Sequence, residues 1–275
     1  MQTVTTTSVF PCCWDLSDAV VRLCAAGFRG LDLAFDYCVQ KPEYPFMTDA
    51  YSKWAEDLRE LAAAHGARFS HSHAPFDAHA RGSIVRKTME CAQRMGIRYI
   101  VVHPIFCYED RSSISDPEEF IRINAEAIQP ILEEAARNNV TVLSENLLWG
   151  ASIDFANIAA LVKEVNSHCF GWCLDTGHAH AMGCALQNLE KVSLPPLSLH
   201  IQDTHGDGRD EHLIPGDGNI DWGAFLRTLK KAGYTGDLVL EAHHQSLELP
   251  DAERDGFLAM LCGRAEKMTA YYDSL

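Results

Sequence analysis

The segment LSLHIQDTHGDGRDEHLIPGDGNIDW, residues 197–222, indicates the fold and the chemistry of this chain more clearly than any other stretch. Its first residues alternate between apolar and polar, so that His200 projects from the strand face opposite to its apolar neighbours. Proline and glycine at 215–219 then form a turn, and Asp221 is placed to cap a following helix. The loop between strand and turn carries side chains of types that can bind a cation: Asp203, His205, Asp207, Asp210, Glu211 and His212. Carboxylates and imidazoles together are typical of sites for zinc, manganese, iron or cobalt, although a solvated polar loop explains the segment alone equally well.

The length and composition of the chain predict a single domain over residues 1–275. The 275 residues are 47% hydrophobic, which is enough to bury one large α/β core. No linker, low-complexity run or short repeat divides the chain. The first residues lack the features of a signal peptide, and no apolar stretch approaches the ~20 residues that a membrane helix requires. We therefore expect a cytoplasmic protein with no membrane contact, and a homo-oligomer is compatible with these features.

The charge and the cysteine content limit the partners further. With 23 Lys and Arg against 38 Asp and Glu, the chain has a net charge of −15, which repels phosphate backbones. We therefore do not expect nucleic acid as a partner. The 10 cysteines contain no CxxC pair and are expected to be reduced core and loop residues. The adjacent pair Cys12 and Cys13 has no assigned role.

Apolar runs of strand length alternate eight times with amphipathic stretches of helix length. The predicted strands are residues 5–10, 30–35, 68–74, 99–103, 141–145, 171–175, 197–202 and 237–241. The predicted helices are residues 16–26, 49–65, 83–95, 117–138, 154–166, 185–191, 222–232 and 252–272. Eight strand-helix units in a chain of this length predict an α/β fold of the (β/α)8 TIM barrel type. A doubly wound open sheet is the alternative, but its glycine fingerprint is missing after the first strand.

In such a barrel the functional groups stand at the C-terminal ends of the strands. From the third strand to the eighth, these ends carry His71 and His73, then His103, Glu145, Asp175 with His178, His200 and Glu241. Taken singly, each is more often a core or rim residue held by hydrogen bonds. A ring of carboxylates and imidazoles that point into one mouth would repel itself without a cation. We therefore predict at least one divalent metal.

Several short motifs, in their order and spacing, resemble the xylose-isomerase-like TIM barrel superfamily over essentially the whole chain. They are HAP at 73–75, VVHP at 101–104, SEN at 144–146, LDTGH at 174–178, LHIQD at 199–203, DEHLIPGDGNIDW at 210–222 and LEAHH at 240–244. This superfamily holds sugar isomerases and epimerases, including tagatose-epimerase and inosose-processing types, and also the endonuclease IV type nucleases that cut at abasic sites.

The resemblance implies a role for each matching residue. In epimerase-like members one metal is bound by the residues that match Glu145, Asp175, His200 and Glu241, and the two glutamates act as the acid/base pair. The residue that matches His178 contacts the substrate. Nuclease-like members add ligands that match His73, His103, Asp210 and His212, with His178 also a ligand. The number of metals, from one to three, and their identity among Mn, Zn, Co and Mg stay open.

One departure from the tagatose-epimerase pattern concerns the substrate contact after the strand-7 histidine. Those enzymes place an arginine six residues on, where Gly206 stands here, and Arg209 replaces it only if the loop contains an insertion. Near the predicted strand ends, Phe10, Trp14, Trp149 and Trp172 are candidates to stack on a sugar ring or to belong to the core. Of these, Trp14 joins His178 and Arg209 as a predicted substrate-binding residue.

Two functions follow from these residues. The first is a metal-dependent isomerase or epimerase of a small sugar or polyol ketone, in which Glu145 and Glu241 move a proton through a metal-stabilised enediolate. The second is a trinuclear zinc phosphodiesterase that acts at abasic DNA sites, for which the ligand set is complete. A barrel that has lost catalysis is disfavoured because both glutamates are present. The net charge favours the isomerase, and the scarcity of basic residues around Arg209 favours a neutral sugar over a phosphorylated one.

Overall fold

The computed structural model describes residues 1–12 and 14–275, so that Cys13, half of the Cys12–Cys13 pair, lies outside the described residues. Eight strands form one sheet. They are β1 (Thr3–Thr6), β2 (Gly30–Ala34), β3 (Arg68–Asp77), β4 (Tyr99–His103), β5 (Thr141–Glu145), β6 (Phe170–Asp175), β7 (Ser198–His200) and β8 (Leu238–Leu240). Strands β4 and β5 have the bounds that the sequence predicts, whereas β7 and β8 are shorter and β3 is longer. Strand β1 covers Thr3–Thr6 rather than residues 5–10, because Thr7–Val9 form a 3-10 helix that the side chain of Thr6 caps.

All the strand pairings are parallel, and their order β7-β6-β5-β4-β3-β2-β1-β8 follows the chain around a barrel. The two ends of this order meet at a single bridge, in which Ile201 lies opposite Leu240. Two backbone hydrogen bonds hold that bridge, from Ile201 N to Val239 O at 2.7 Å and from Glu241 N to Ile201 O at 3.0 Å. The eight parallel strands therefore form a nearly closed (β/α)8 barrel, and the predicted fold class is confirmed.

Helices connect the strands on the outside of the barrel. They are α1 (Leu16–Ala25), α2 (Phe35–Cys38), α3 (Tyr51–Ala64), α4 (Ser83–Met95), α5 (Pro117–Ala127), α6 (Gln129–Arg137), α7 (Phe155–Val165), α8 (Thr176–Ala181), α9 (Trp222–Lys231), α10 (His244–Leu247) and α11 (Asp251–Ser274). Within the described ranges, no helix is both long enough and apolar enough to cross a membrane.

Three differences from the predicted helices have local causes. The single helix expected over 117–138 is divided between α5 and α6 at Ile128. Pro130 stands in the first turn of α6, where its missing N–H is tolerated but the preceding helix is interrupted. The helix expected over 185–191 is the 3-10 segment Leu186–Lys191. The short helices α2 and α8 follow directly on β2 and β6, and three residues separate α10 from the end of β8. The sequence predicts no helix at these positions, and Phe35, predicted as the end of the second strand, is the first residue of α2.

A buried carboxylate, Asp203, shapes the long loop after β7. Its two oxygens accept hydrogen bonds from the backbone N–H groups of Gly216 at 2.8 Å and Ile220 at 3.1 Å, and from Trp222 Nε1 at 2.9 Å. A Cβ atom on Gly218 would lie 2.4 Å from Asp203 Oδ1, so that glycine is required there for space. The turn at 215–219 is thus fastened to the end of β7.

The core lies mainly between the barrel and its helices, and the inside of the barrel holds a small apolar layer of Val101, Leu143 and Cys173. Two of the aromatic residues considered for sugar contacts belong to the core. Phe10 is 1% exposed, and Trp172 is fully buried with its Nε1 donating to Leu194 O at 3.0 Å. Each cysteine in the described ranges is a free thiol. The polar strand ends stand above the apolar layer.

Candidate metal centre and active site

Four consecutive strands, β5 to β8, bring four side chains together at the C-terminal mouth of the barrel. Glu145, Asp175, His200 and Glu241 each offer one ligand atom within 4.8 Å of the others. His200 lies at the middle of the group, with Nδ1 2.6 Å from Glu145 Oε1 and 3.0 Å from Glu241 Oε2. The period of two along a strand explains the convergence, because each of these residues faces inward just where its strand ends. We refer to these four residues as the central group.

Two buried amides orient Asp175. Asn146 is paired with its backbone, since Asn146 Oδ1 accepts from Asp175 N at 2.8 Å and Nδ2 donates to Asp175 O at 2.9 Å. Gln202 Nε2 donates to both carboxylate oxygens of Asp175, at 3.3 and 3.4 Å, and to Asp210 Oδ1 at 3.1 Å. Gln202 Oε1 accepts from the backbone N–H of His212 at 3.0 Å. One amide side chain therefore positions three candidate ligands.

The pKa values of the three carboxyl groups in the central group differ from their ordinary values. Burial would raise the pKa of both glutamates, but His200 beside them holds the pKa of Glu145 and of Glu241 below its usual range. Burial raises the pKa of Asp175 to about 7, against the opposing effect of His178. Both glutamates are therefore carboxylates at neutral pH. A bound cation would favour the carboxylate form of Asp175, which is the form that coordinates metal.

Two further groups of ligand atoms flank the central one. On one side, His73 Nε2 lies 3.0 Å from His103 Nε2, and Glu145 Oε2 lies 3.7 and 3.3 Å from these two nitrogens. On the other side, Asp210 bridges two histidines, with Oδ2 3.5 Å from His178 Nε2 and Oδ1 3.0 Å from His212 Nε2. Each of these groups has its ligand atoms within 4.8 Å of one another.

The histidines of the second flanking group carry raised pKa values. Burial would lower the pKa of His178, but Asp175 and Asp210 raise it to about 10. Burial would also lower the pKa of His212, but the neighbouring Asp210 carboxylate outweighs this effect and raises that pKa to about 9. Each imidazole is thus in an environment that favours a positive charge. Coordination to a cation is an alternative source of that charge, because neutral imidazole is a metal ligand.

The central group fits a divalent cation. Glu145 Oε2 is buried and accepts no hydrogen bond from any residue that the structure describes, although His103 Nε2 lies 3.3 Å away. A buried carboxylate oxygen left without a partner costs free energy that a cation would recover. Three carboxylates and one imidazole form a ligand set for zinc, manganese or cobalt rather than for a thiolate-selecting metal. Glu145, Asp175, His200 and Glu241 are therefore the residues that would hold the ion.

A cavity of about 190 Å³ opens above these side chains. Its wall consists of Ser8, Asp36, Tyr37, His73, His103, Glu145, His178, Asp210, His212, Glu241 and His243. Among the described residues of that wall there is no lysine or arginine. The cavity is small beside the ~300–1,000 Å³ of sites for drug-sized ligands, and it is lined by groups that hydrogen-bond hydroxyls or bind cations.

Three residues singled out from the sequence lie off the wall of this cavity. Arg209 is 66% exposed, and its guanidinium is bound to Asp207 Oδ2 at 2.7 Å and Glu211 Oε1 at 3.2 Å. Trp14 packs on Phe10 with ring centroids 5.4 Å apart. His71 lies inside the barrel, where burial lowers its pKa to about 3, so that its imidazole is neutral. The substrate contacts of Arg209 and Trp14 stay predictions.

Trp149 stands on the rim and is 48% exposed. Its ring is stacked on Phe106, with centroids 4.8 Å apart, on the loops that follow β5 and β4. Neither ring belongs to the cavity wall.

Several wall and supporting residues were not among the sequence candidates. Ser8, Asp36 and Tyr37 come from the segments after β1 and β2, which carry no cluster of metal-binding residue types. Asn146 and Gln202 were part of the quoted SEN and LHIQD motifs, and their amide side chains at strand ends are the signal that identifies them. His243 lies in the quoted LEAHH motif.

Comparison with known proteins gives a consistent picture. A family model described as the xylose isomerase-like TIM barrel matches residues 20–260. The inosose isomerase of Bacillus licheniformis is 28% identical over 161 residues, which are 56% of this chain and 56% of that protein. The L-ribulose-5-phosphate 3-epimerase of Salmonella typhi is 24% identical over 171 residues, 62% of this chain and 58% of that protein. The chain thus spans little more than half the length of these curated relatives.

Among solved structures, a crystal structure of the IOLI protein with a zinc atom has a TM-score of 0.78 and 21% identity to this chain. The alignment covers 99% of this chain and 98% of that one. At this identity the likeness establishes the fold.

Proposed function

We propose that this chain, which belongs to the xylose isomerase-like TIM barrel family, is a divalent-metal-dependent isomerase or epimerase of a small sugar or polyol ketone. The observation that carries the proposal is the pair Glu145 and Glu241, whose carboxylates lie 2.6 and 3.0 Å from the same nitrogen of His200. The zinc atom of the IOLI structure and the sugar-processing relatives support the same reading.

In this reaction the bound ion and the glutamate side chains would have different roles. A bound divalent cation would polarise a substrate carbonyl, which lowers the cost of removing a proton from the adjacent carbon. Glu145 and Glu241 are both ionised at neutral pH, and each is therefore competent to take that proton. In an isomerase the carboxyl group so formed returns the proton to the former carbonyl carbon, while the hydroxyl proton of the deprotonated carbon passes to the former carbonyl oxygen, so that carbonyl and hydroxyl groups exchange places. An epimerase needs the two glutamates on opposite faces of the carbon.

The wall of the cavity supports a neutral substrate. Imidazoles and carboxylates line the mouth, and the described part of the wall offers no cationic arginine or lysine to bind a phosphate. A cavity of about 190 Å³ suits a compact polyhydroxylated molecule. We therefore place the substrate among unphosphorylated ketoses and cyclic polyol ketones.

A second candidate is the metal phosphodiesterase that cuts DNA at abasic sites. One observation favours it: Glu145 joins the central group to His73 and His103, while His178, Asp210 and His212 form a third group beside them. The net charge of −15 and the absence of basic residues from the described wall disfavour a polyanionic substrate.

The test is hydrogen exchange at substrate carbon. The protein, loaded with Mn²⁺, Co²⁺ or Zn²⁺, is incubated in D₂O with a panel of unphosphorylated ketoses and inososes, and deuterium in recovered sugar is measured. Glu241→Gln should abolish exchange, whereas Glu211→Gln, which changes a rim carboxylate bonded to His205, should retain it. Strand cleavage of an abasic duplex without exchange into any sugar would overturn the isomerase and favour the nuclease.

A further inference from the structure

Three imidazoles meet at the rim outside the central group. His212 belongs to the long loop after β7, while His243 and His244 follow β8 at the start of α10. Their ring centroids lie 4.2 Å apart for His212 and His243, 4.7 Å for His212 and His244, and 4.8 Å for His243 and His244. One ring nitrogen of each lies within 4.8 Å of those of the other two.

The carbonyl oxygen of Glu241 orients two of these rings. It faces His212 Nδ1 at 2.8 Å and His243 Nδ1 at 3.1 Å. Because a carbonyl oxygen can only accept, both Nδ1 atoms carry a proton, which leaves Nε2 as the nitrogen of each ring that could bind a metal. In His212 this Nε2 faces Asp210, so that the proton which this carboxylate favours there would have to leave when a metal binds. A backbone carbonyl that holds the second nitrogen is the usual support of a metal-ligating histidine.

The backbone of His212 adds an independent sign of a functional constraint. Its φ is +44°, in the left-handed region that residues with a side chain seldom adopt. Such a conformation persists where the surroundings enforce it. Here the backbone N–H of His212 is bound to Gln202 and its ring is held by Glu241, so that the imidazole is presented to the other two.

The three imidazoles can be compared with a metal site that has three histidine ligands. In a tetrahedral zinc site the metal–nitrogen distance is about 2.0–2.1 Å, which places the nitrogens roughly 3.4 Å apart. The three nitrogens lie within 4.8 Å of one another and therefore need to approach by at most about 1.4 Å, a movement within the reach of side-chain rotation for His244, which is exposed. Three imidazoles suit zinc, copper, nickel or cobalt and do not suit magnesium or calcium.

We propose that His212, His243 and His244 form a second site for a transition-metal ion, distinct from the central group. The ion would join the loop after β7 to the turn after β8, with its remaining coordination position open to water. His212 also faces Asp210 at 3.0 Å, so that the site competes with the flanking group for this one residue. The inference goes beyond the proposed function, because it concerns neither the substrate nor the proton transfer.

The experiment is a metal titration of the full chain. Protein freed of metal with a chelator is titrated with Zn²⁺ in a calorimeter, as the unaltered chain and as the double variant His243→Ala/His244→Ala. The control is His168→Ala, an exposed histidine between α7 and β6. The same proteins loaded with Cu²⁺ are compared by electron paramagnetic resonance, which reports the number of coordinated imidazole nitrogens.

The double variant should bind one ion fewer, or bind it at least about 100-fold more weakly, since even outer-shell partners of a ligand are worth 10–100-fold. Its copper spectrum should lose imidazole couplings, and His168→Ala should match the unaltered chain. If the double variant does not fold, the single variant His244→Ala, at an exposed position, is measured instead. Equal stoichiometry, affinity and copper spectra in the altered and unaltered chains would overturn the second site. Deuterium exchange is measured in His244→Ala, whose side chain is not part of the cavity wall, and loss of the site with exchange retained would leave the isomerase proposal unaffected.

Discussion

Gly177, in the first turn of α8, is predicted to be indispensable because of the side chain beside it. A Cβ atom there would lie 2.2 Å from Gln202 Cδ, 2.3 Å from its Oε1 and 2.7 Å from its Cγ. Real Cβ contacts are not that short, and Gln202 is fully buried, so that Gly177→Ala must displace this amide. The displaced amide would leave Asp175 and the backbone N–H of His212 without their hydrogen bonds.

Two effects determine how much Gly177→Ala lowers the free energy of unfolding. Overpacking a filled interior destabilises by roughly 1–3 kcal/mol, and an unsatisfied buried donor adds about 1–3 kcal/mol. We therefore expect Gly177→Ala to lower the free energy of unfolding by about 2–6 kcal/mol in urea titrations, and to weaken Zn²⁺ binding at the central group. The matched control is Gly256→Ala in α11, where the added Cβ meets nothing within 4 Å and a change of less than about 1 kcal/mol is expected.

A double-mutant cycle identifies the cause. Gly177→Ala in a Gln202→Ala background meets no amide, so that the two substitutions together should cost less than the sum of their separate effects. Gly177→Ala that is as stable as the unaltered chain and binds Zn²⁺ equally well would refute the reasoning. So would strict additivity with Gln202→Ala, because it would show that the two side chains do not compete for one space.

Four further predictions concern the loops and the charges. Asp203→Ala should lower the free energy of unfolding by about 2–4 kcal/mol in urea titrations, since it removes hydrogen bonds to a buried carboxylate, and a change below about 0.5 kcal/mol would contradict that role. Arg209→Ala should change stability by less than about 0.5 kcal/mol and leave deuterium exchange intact, because its side chain is exposed; loss of exchange would restore it as a substrate contact. Removal of the metal by a chelator should lower the melting temperature. Adding Zn²⁺ at 100 times its Kd should then raise the free energy of unfolding by about 2.7 kcal/mol, and no shift with Zn²⁺ would contradict a site in the folded chain. The chelated protein should lose stability as the pH rises from about 6.5 through 9–10, because the raised pKa values of His178 and His212 favour folding only while these groups are protonated, and a flat profile in pH-dependent urea titrations would contradict those pKa shifts.

The barrel and its strand ends could be predicted because they depend on local patterns. Strands such as Thr141–Glu145 are short apolar runs bounded by loops, and the eightfold alternation with helices determines the topology. Short helices such as Thr176–Ala181 could not be predicted, since one or two turns contain too few residues for a helical period. The break at Ile128 depends on Pro130, whose effect a long amphipathic pattern conceals.

The candidate site likewise contains residues that could be predicted from the sequence and residues that could not. The residues of the central group were predictable because each occupies the end of a strand, and strand ends of a barrel share one rim. The contributions of Asn146 and Gln202 depend on which neighbour an amide reaches across strands, and this is decided by packing that spacing does not reveal. The position of Arg209 depends on the course of a long loop, which turns its side chain toward Asp207.

The single bridge between β7 and β8 makes this edge the weakest seam of the barrel wall. Ile201 and Leu240 form the seam, and the adjacent His200 and Glu241 stand one on each side of it. An ion bound by both residues would connect the two strands across this bridge, so that metal binding would also stabilise the contact between β7 and β8. The amide protons of Ile201 and Glu241, which make the two seam hydrogen bonds, are then local reporters of occupancy in hydrogen-exchange experiments.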